Sequence, residues 1–395
     1  MTPPVAASVS VLLDATSIPP HEGGVARYLR GLIRGLASRE GVALTVVVQA
    51  KDAAWVRAAH ARAEVLIAPR FVRWPALRLL WEQIGLPLLV RRAAADVVHS
   101  PHYTLPLLCA TPRVVTVHDA TFFSHPRLHS RVKGVFFRLW SGLAARVARG
   151  VIGPSVATRE EFVRHTGARP ASFTVSYHGV DHARFQPPTS ERMRDFADRA
   201  GAGSGGWIAF LGTLEPRKNV PSLVRAFTML DDREDSPVRD LSLIVAGSSG
   251  WDESVESVVS GSSARDRILR LGFVDDGDLP AFLGGALCVV YPSFGEGFGL
   301  PVLEAMACGA TVLTTRELAL PEVGGDAVAY CGTDAEAIAE AIASLLGDRR
   351  ERERLSLAAR RRAALFTWEE AARVHEAAYR RARATGRQDG DERAG

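Results

Sequence analysis

The sequence predicts an α/β protein built from two doubly wound, Rossmann-like domains. Three observations predict it. The chain has 395 residues, more than one hydrophobic core usually organises, so about two domains are expected. Short apolar runs alternate with longer amphipathic stretches, and this alternation stops at a polar, Gly- and Pro-rich interruption and then restarts. Glycine-rich turns also join several apolar runs to the helices after them, at the strand ends where open parallel sheets bind ligands.

Composition sets the outer limits. Hydrophobic residues make up 47% and charged residues 23%, the balance of an ordinary globular protein. The four cysteines, Cys109, Cys288, Cys308 and Cys331, lack metal-type spacing and lie in apolar surroundings, so they read as reduced core residues of a cytosolic protein. The opening MTPPVAASVSVLLD has no basic segment before a long apolar one, and a secretory signal is not expected. No uncharged apolar run reaches the ~18 residues of a membrane span. The longest candidate, Val72–Val90, is interrupted by Arg73, Arg78 and Glu82. A cytoplasmic protein is expected, soluble or peripheral on the inner face of the cell membrane. The net charge of +4 and pI near 9.0 suit phosphates, anionic lipid and nucleic acid alike.

In chain order, Val9–Leu13 reads as the first buried strand, with Asp14 at its carboxyl end. Gly23 and Gly24 then precede a helix whose apolar positions Val25, Leu29, Leu32 and Leu36 recur at helical spacing. Such a glycine pair is either a phosphate-facing loop or a plain turn. Leu44–Val48 and Val65–Ala68 continue the alternation, and Pro69–Ala95 is a basic, aromatic helical region with Trp74 and Trp81. Asp96–His99 and Val114–Val117 are short strands, the second ending in His118-Asp119. An imidazole at a strand's carboxyl end can bond a sugar hydroxyl or position an acceptor. A lone histidine would be structural; the HD pair at this place favours function. Val151–Gly153 is a further strand, and Ser155 or Thr158 can cap the helix after it.

From Phe185 to Gly206 the chain is polar and ends in GAGSGG. That sets the expected boundaries: a first domain over 1–184, a linker over 185–206, a second domain over 207–366, a helix over 367–383 and a disordered tail over 384–395. The second half opens with the strand Trp207–Leu211 and GTLEPRKN, in which Arg217 and Lys218 stand just before a helix containing Leu223 and Phe227. Two cations at a helix start suit a diphosphate, Arg as a fork and Lys as a point charge. Leu241–Ala246 and Ile268–Phe273 are strands. Asp276-Gly-Asp278 reads either as a metal-binding pair or, at lower cost, as a helix N-cap at Asp278. The run DRRERERL mixes charge signs along a solvated helix face.

The most informative stretch is Tyr291–Gly309, YPSFGEGFGLPVLEAMACG. A buried strand ends in a loop with Gly295, Gly297 and Gly299, Pro301 opens a short helix, and Gly309 closes it. Backbone N–H groups at such a helix start form an anion site, most naturally for a diphosphate. Glu296 in the loop and Glu304, one turn into the helix and ~5 Å along its axis, bracket that site. Acids beside a phosphate site are misplaced unless they bind hydroxyls, which points to a nucleotide sugar. The G-x-G-x-G spacing departs from the dinucleotide fingerprint G-x-G-x-x-G.

The string GEGFGLPVLEAMACG, supported by GTLEPRKN, resembles the donor-site signature of the retaining family 4 glycosyltransferases, which have the GT-B fold. The resemblance implies two domains facing a cleft and a last helix that crosses back to the first. It implies that Glu296 contacts donor-sugar hydroxyls, that Glu304 contacts the ribose, and that Gly297, Phe298, Gly299 and Leu300 line the sugar and phosphate. Arg217 and Lys218 would neutralise the leaving diphosphate. Backbone at Phe273 and Val274 would lie against the base, Gly23 and Gly24 would face the phosphates and the acceptor, and His118 would have a functional role. Retention is likewise implied by the family. HDATFF resembles the corresponding stretch of bacterial mannosyl- and related hexosyltransferases of surface polysaccharides, which makes GDP-mannose the first donor to test.

The expected partners are a nucleotide-sugar donor and a glycan or lipid-linked glycan acceptor, with no nucleic acid, no cofactor and no metal. Basic, apolar Pro69–Arg92 and Arg127–Arg149 fit either an anionic membrane surface or packing on the sheet. Two alternatives stay open: a nucleotide-sugar 2-epimerase-like isomerase, which would need further acid/base groups at the sugar ring, and a non-catalytic nucleotide-sugar-binding subunit.

Overall fold

The computed structural model describes residues 8–18 and 23–394, with side chains described as far as Gly386. Two compact units emerge: one drawn from the chain up to Pro126, Ser130–Gly179 and Thr367 onward, the other from Val180–Phe366 with Arg127–His129.

The first unit is a parallel sheet of β1 (Val9–Asp14), β2 (Val42–Val48), β3 (Glu64–Ile67), β4 (Val97–Ser100), β5 (Arg113–Thr116), β6 (Gly150–Gly153) and β7 (Phe173–Val175). Its spatial order is β3-β2-β1-β4-β5-β6-β7. The winding reverses between β1 and β4, which pair through Leu13 and His99. Asp14 and Ser100, the last residues of β1 and β4, therefore stand at a switch point. Its helices are α1 (Gly24–Ala37), α2 (Ala53–Ala59), α3 (Pro75–Arg92), α4 (Thr121–Ser124), α5 (Arg131–Val147) and α6 (Val156–Thr166). Right-handed crossovers put α1 and α2 on one face and α3, α5 and α6 on the other. Ser155 caps α6 by accepting from the Thr158 N–H at 3.0 Å.

The second unit repeats the architecture with β8 (Trp207–Leu211), β9 (Ser242–Ala246), β10 (Ile268–Gly272), β11 (Cys288–Tyr291), β12 (Val312–Thr315) and β13 (Ala329–Cys331). They are ordered β10-β9-β8-β11-β12-β13. Strands β8, β9, β11 and β12 are buried along their whole length. That explains their mostly apolar text, since both faces of a parallel sheet are covered by helices. Those helices are α7 (Ser190–Ala200), α8 (Val220–Asp231), α9 (Ser254–Ser260), α10 (Leu279–Gly284), α11 (Leu300–Ala307), α12 (Leu320–Gly324), α13 (Ala335–Gly347) and α14 (Arg349–Ala363).

The last helix, α15 (Trp368–Ala394), belongs to the first unit and packs on α1. Glycine makes that contact feasible. A Cβ on Gly31 would fall 2.0 Å from the Trp368 ring, and one on Gly35 would fall 2.2 Å from the Trp368 carbonyl oxygen.

Four expectations need correction. The stretch 185–206 is not a linker, because it holds α7, capped by Thr189 and ended by left-handed Gly201. The units part at Gly179 and Val180 rather than after residue 184. Helix α7 buries Phe196 against Trp207 and Phe282, with ring centroids 5.5 Å from each, and Met193, Phe196, Ala197 and Ala200 recur at helical spacing in otherwise polar text. Helix α15 continues to Ala394 where polarity suggested a disordered tail; Arg, Ala, Gln and Glu are good helix formers that extend a helix already nucleated. Asp278 stands at the start of α10 without a side-chain cap bond and pairs with Arg199 at 2.9 Å instead. Its neighbour Asp276 pairs with Arg184.

Candidate active site

In the second unit, β11 runs into the turn 292–299 and then into α11. Gly299 sits at φ +103°, and a Cβ there would also approach Leu320 to 2.9 Å, so the position accepts only glycine. Pro301 lies in the first turn of α11. Gly309, at φ +76°, ends it, with its N–H on the Met306 carbonyl and the Ala310 N–H on the Ala305 carbonyl, both at 3.0 Å.

That turn is bonded to the one after β8. The Phe294 N–H reaches the Arg217 carbonyl at 2.9 Å, and the Ser293 Oγ lies 3.0 Å from the same oxygen. Asn219, in the left-handed region at φ +57°, donates to the carbonyls of Pro292 at 3.2 Å and Thr333 at 2.7 Å. Asparagine tolerates this conformation, and its amide holds both turns together.

The two turns bring Arg217, Lys218 and Glu296 into one cluster. Arg217 Nη1 lies 2.5 Å from Glu296 Oε2 and donates to the Gly295 carbonyl at 2.7 Å. Lys218 Nζ lies 2.6 Å from Glu296 Oε1 and also donates to the Tyr291 hydroxyl. Tyr291 and Ser293 donate to the same Oε1, at 3.0 and 2.8 Å. Burial would raise the Glu296 carboxyl, but Arg217 and Lys218 override it and hold the group at about 2. Burial lowers the Lys218 ammonium against the opposing pull of Glu296. Lys218 and Glu296 are both buried, so each charge there depends on the others.

Glu304 is buried on α11, while Phe273 is exposed and Val274 buried just past β10. Gly297, Phe298 and Leu300 are buried around the α11 start, with the Phe298 ring 6.0 Å from that of Phe366.

The other expected residues lie in the first unit. Gly23 and Gly24 are exposed at the start of α1; residues 19–22 of that loop lie outside those described. His118, just past β5, is half-buried and donates from Nε2 to the Pro101 carbonyl at 2.7 Å, since a carbonyl can only accept. Its Nδ1 is then the lone-pair nitrogen. Burial lowers this imidazole to about 4, against the Pro101 carbonyl and Asp119.

Behind His118 runs a buried chain whose bond directions can be assigned. His375 Nδ1 is 2.8 Å from the Ala371 carbonyl and must donate to it. Burial keeps His375 neutral, its value lowered to about 4 against that carbonyl, so Nε2 accepts from the Tyr28 hydroxyl at 2.9 Å. Tyr28 then accepts from Thr116 at 2.9 Å, Thr116 accepts from His99 Nε2 at 2.8 Å, and His99 Nδ1 accepts from Tyr379 at 2.8 Å. Every bond points the same way. The Tyr28 ring meets His118 edge-on and also contacts His178, with centroids 4.9 Å from each.

The model for glycosyltransferase family 4 matches residues 22–184, and that for glycosyl transferases group 1 matches residues 196–362. O-antigen chain mannosyltransferase B of Escherichia coli is 32% identical over 279 residues, spanning 69% of this chain and 71% of that protein. The chain is a family 4 glycosyltransferase. A D-inositol 3-phosphate glycosyltransferase of Salinispora arenicola (strain CNS-205) is 33% identical, over 51% of this chain and 48% of that one. HepE of Anabaena, solved in complex with UDP-glucose, superposes with a TM-score of 0.73 at 18% identity, covering 93% of this chain and 98% of that one. The fold is GT-B.

The motif reading of this glycosyltransferase missed Tyr291, Ser293 and Asn219, which complete the Glu296 cluster. Tyr291 and Ser293 had a signal, being polar residues that alternate out of a buried strand directly into the glycine turn. The histidine and tyrosine chain had none, because its members lie as far apart as Tyr28 and His375.

Proposed function

We propose that this glycosyltransferase moves a hexose, mannose first, from a nucleoside-diphosphate sugar such as GDP-mannose to a glycan or lipid-linked glycan in cell-surface polysaccharide assembly. The anomeric configuration is retained, no metal or cofactor is required, and the enzyme works against an anionic membrane surface. The observation that carries the proposal is the buried cluster of Arg217, Lys218 and Glu296 beside the glycine turn into α11. The Escherichia coli mannosyltransferase relative supports the sugar; the inositol phosphate enzymes among the relatives keep the acceptor class broad.

In this mechanism an incoming diphosphate takes Arg217 and Lys218 from Glu296. The carboxylate is then available to donor-sugar hydroxyls, Glu304 to the ribose, the 297–300 backbone to sugar and phosphate, and backbone at Phe273 and Val274 to the base. Gly23 and Gly24 approach the phosphates. As the glycosidic bond breaks, charge grows on the leaving diphosphate, where fixed cations are worth several kcal/mol. Glu296 is then taken up by the donor-sugar hydroxyls and the Tyr291 and Ser293 hydroxyls, which leaves it no part as base or nucleophile. The departing diphosphate therefore takes the acceptor proton as the acceptor attacks from the same face, and His118 Nδ1 orients the acceptor hydroxyl.

Incubation with a panel of nucleotide sugars, with and without glycan acceptors and with EDTA, tests the whole reading. Acceptor-dependent release of nucleoside diphosphate that survives EDTA is expected. Loss on chelation, restored by Mg²⁺ or Mn²⁺, would overturn metal independence. Epimerised nucleotide sugar without release would identify an isomerase, and no turnover of any donor a binding subunit.

A further inference from the structure

Every charged residue on α1 and α2 is an arginine: Arg27, Arg30 and Arg34 on α1 and Arg57 on α2, with no carboxylate on either helix. Between the two helices lies a cavity of about 240 Å³, lined by Arg30, Arg34, Trp55, Ala58 and Ala59. A single water needs only ~10–15 Å³ of such space, so a ligand of several heavy atoms fits. Arg30 and Arg34 stand one turn apart on the same side of α1, the spacing at which helical side chains become neighbours. The Arg30 guanidinium lies 5.2 Å from the centre of the Trp55 ring, a contact that holds a flat cation in place. Trp55 is half-buried against the core of the first unit, and its Nε1–H is buried without a hydrogen-bond partner. An indole N–H can only donate, and a buried donor left unpaired is costly.

The polar side chains in the wall are therefore all donors, and two of them are permanently charged. A neutral sugar would also need acceptors, and a metal cation would be repelled. A carboxylate is satisfied by one guanidinium fork, whereas two forks together match the oxygens of a phosphate. Ala58 and Ala59 leave room for a small remainder attached to it. We propose that the cavity between α1 and α2 is a site for a soluble phosphate monoester, held by Arg30 and Arg34 against Trp55. The proposal goes beyond glycosyl transfer. Helix α1 starts at Gly24 beside the carboxyl ends of the strands, and Arg30 and Arg34 lie ~9 and ~15 Å further along its axis, away from the end of β5 where His118 stands. Helices α1 and α2 cover the face of the sheet opposite α3 and α5, so a bilayer lying on α3 and α5 would leave this cavity open to solvent. Helix α1 also carries Gly24 at its start and Tyr28 within the buried chain. A ligand that ties α1 to α2 therefore acts on the first unit's own candidate residues as an effector, from outside their site.

The test is calorimetric titration of the full chain with glycerol 3-phosphate and mannose 6-phosphate, with glycerol and methyl α-mannoside as uncharged controls and with excess GDP and UDP present to fill the donor site. At least one monoester should bind the wild type, more weakly as salt rises, while its uncharged counterpart does not. Arg34→Glu and Arg30→Gln should each weaken that binding at least ten-fold, and Arg217→Ala combined with Lys218→Ala should leave it unchanged. Arg34 is exposed, so Arg34→Glu keeps the test decisive even if Arg30→Gln folds poorly. No binding of either monoester by the wild type, or equal binding by Arg34→Glu, overturns the site. Binding lost only in the Arg217 and Lys218 double variant would put the ester in the donor cluster and overturn it as well. Sedimentation with phosphatidic acid vesicles that Arg34→Glu removes, with neither soluble ester bound, would make the occupant a lipid headgroup and overturn the soluble ligand. Failure of GDP and UDP to bind would count against the donor reading and leave this test intact, because it is read at Arg34.

Discussion

At the scale of single residues, Glu296 performs two tasks that conflict. It is the counter-ion that lets Arg217 and Lys218 sit buried, and in the proposed reaction it must give those cations up to the diphosphate. Glu296→Ala would leave two buried cations facing a hole, which costs about 3–5 kcal/mol of stability and would confuse catalysis with folding. Glu296→Gln keeps the shape and an acceptor for Tyr291 and Ser293 but also removes the counter-ion, so it should lose most turnover with a fall in melting temperature smaller than that of Glu296→Ala. Arg217→Ala combined with Lys218→Ala should cost at least ~3 kcal/mol of transition-state stabilisation, because two charge-assisted contacts go together. Inhibition by nucleoside diphosphate should weaken in parallel. Unchanged inhibition in the double variant would place the phosphates elsewhere.

At the scale of elements, α15 is joined to the sheet of the first unit by the chain through His375, Tyr28, Thr116, His99 and Tyr379. All donors and acceptors are committed, so a further proton on His375 or His99 would set donor against donor. Both imidazoles are held below their ordinary value by burial, His375 at about 4 and His99 well down. The unfolded chain, with ordinary histidines, therefore binds more protons than the folded one between about pH 6.5 and 4, and stability must fall as pH drops through that window. Thermal melts at pH 7.5, 6 and 5 should show this slope, and His375→Gln should make it shallower without removing it, because His99, His102, His118 and His178 are also held low by burial, while lowering stability at neutral pH. A melting temperature independent of pH over this range would mean that the histidines are already charged in the folded chain. Gly31 and Gly35 were legible only as helix residues, since their need to be small comes from Trp368, which sequence distance hides. Helix α7 could have been read, since Met193, Phe196, Ala197 and Ala200 recur at helical spacing; the polar residues around them and the flanking Pro and Gly hid it. The strand–glycine–helix units at Gly299 and Arg217 could be read directly, because their partners lie within a turn or two along the chain.

At the scale of the whole molecule, the two-sheet architecture was legible because parallel strands buried on both faces leave continuous apolar runs, whereas strand order and the surface chemistry of the helices appear only once the sheet is wound. Helices α3 and α5 illustrate this. Sequence offered membrane contact or sheet packing as alternatives, and the structure gives each helix two apolar faces. Trp81, Leu86 and Val90 of α3 and Trp140 and Ala144 of α5 are buried, while Leu77, Leu80, Ile84 and Leu88 of α3 and Val132, Val135 and Leu139 of α5 are exposed at helical spacing. Both helices lie on one face of the sheet, where Leu79 packs into the same cluster as Phe136 and Phe137. Exposed Arg70, Arg73, Arg91, Arg92, Arg131, Lys133 and Arg146 accompany them, and the only carboxylate between Glu64 and Asp96 is buried Glu82. Between Asp119 and Glu160 there is none. Among the described residues no helix is long and apolar enough to cross a membrane, so this face would lie on a bilayer rather than in it, with each basic side chain worth ~1 kcal/mol near anionic headgroups. The chain should co-sediment with phosphatidylglycerol vesicles at low salt, progressively less as salt screens the headgroups, and hardly at all with phosphatidylcholine. Leu80→Asp with Ile84→Asp changes only exposed positions and should abolish sedimentation without lowering the melting temperature. If the wild type stays in the supernatant with anionic vesicles even at low salt, the face is not a membrane surface and the acceptor must reach the enzyme from solution.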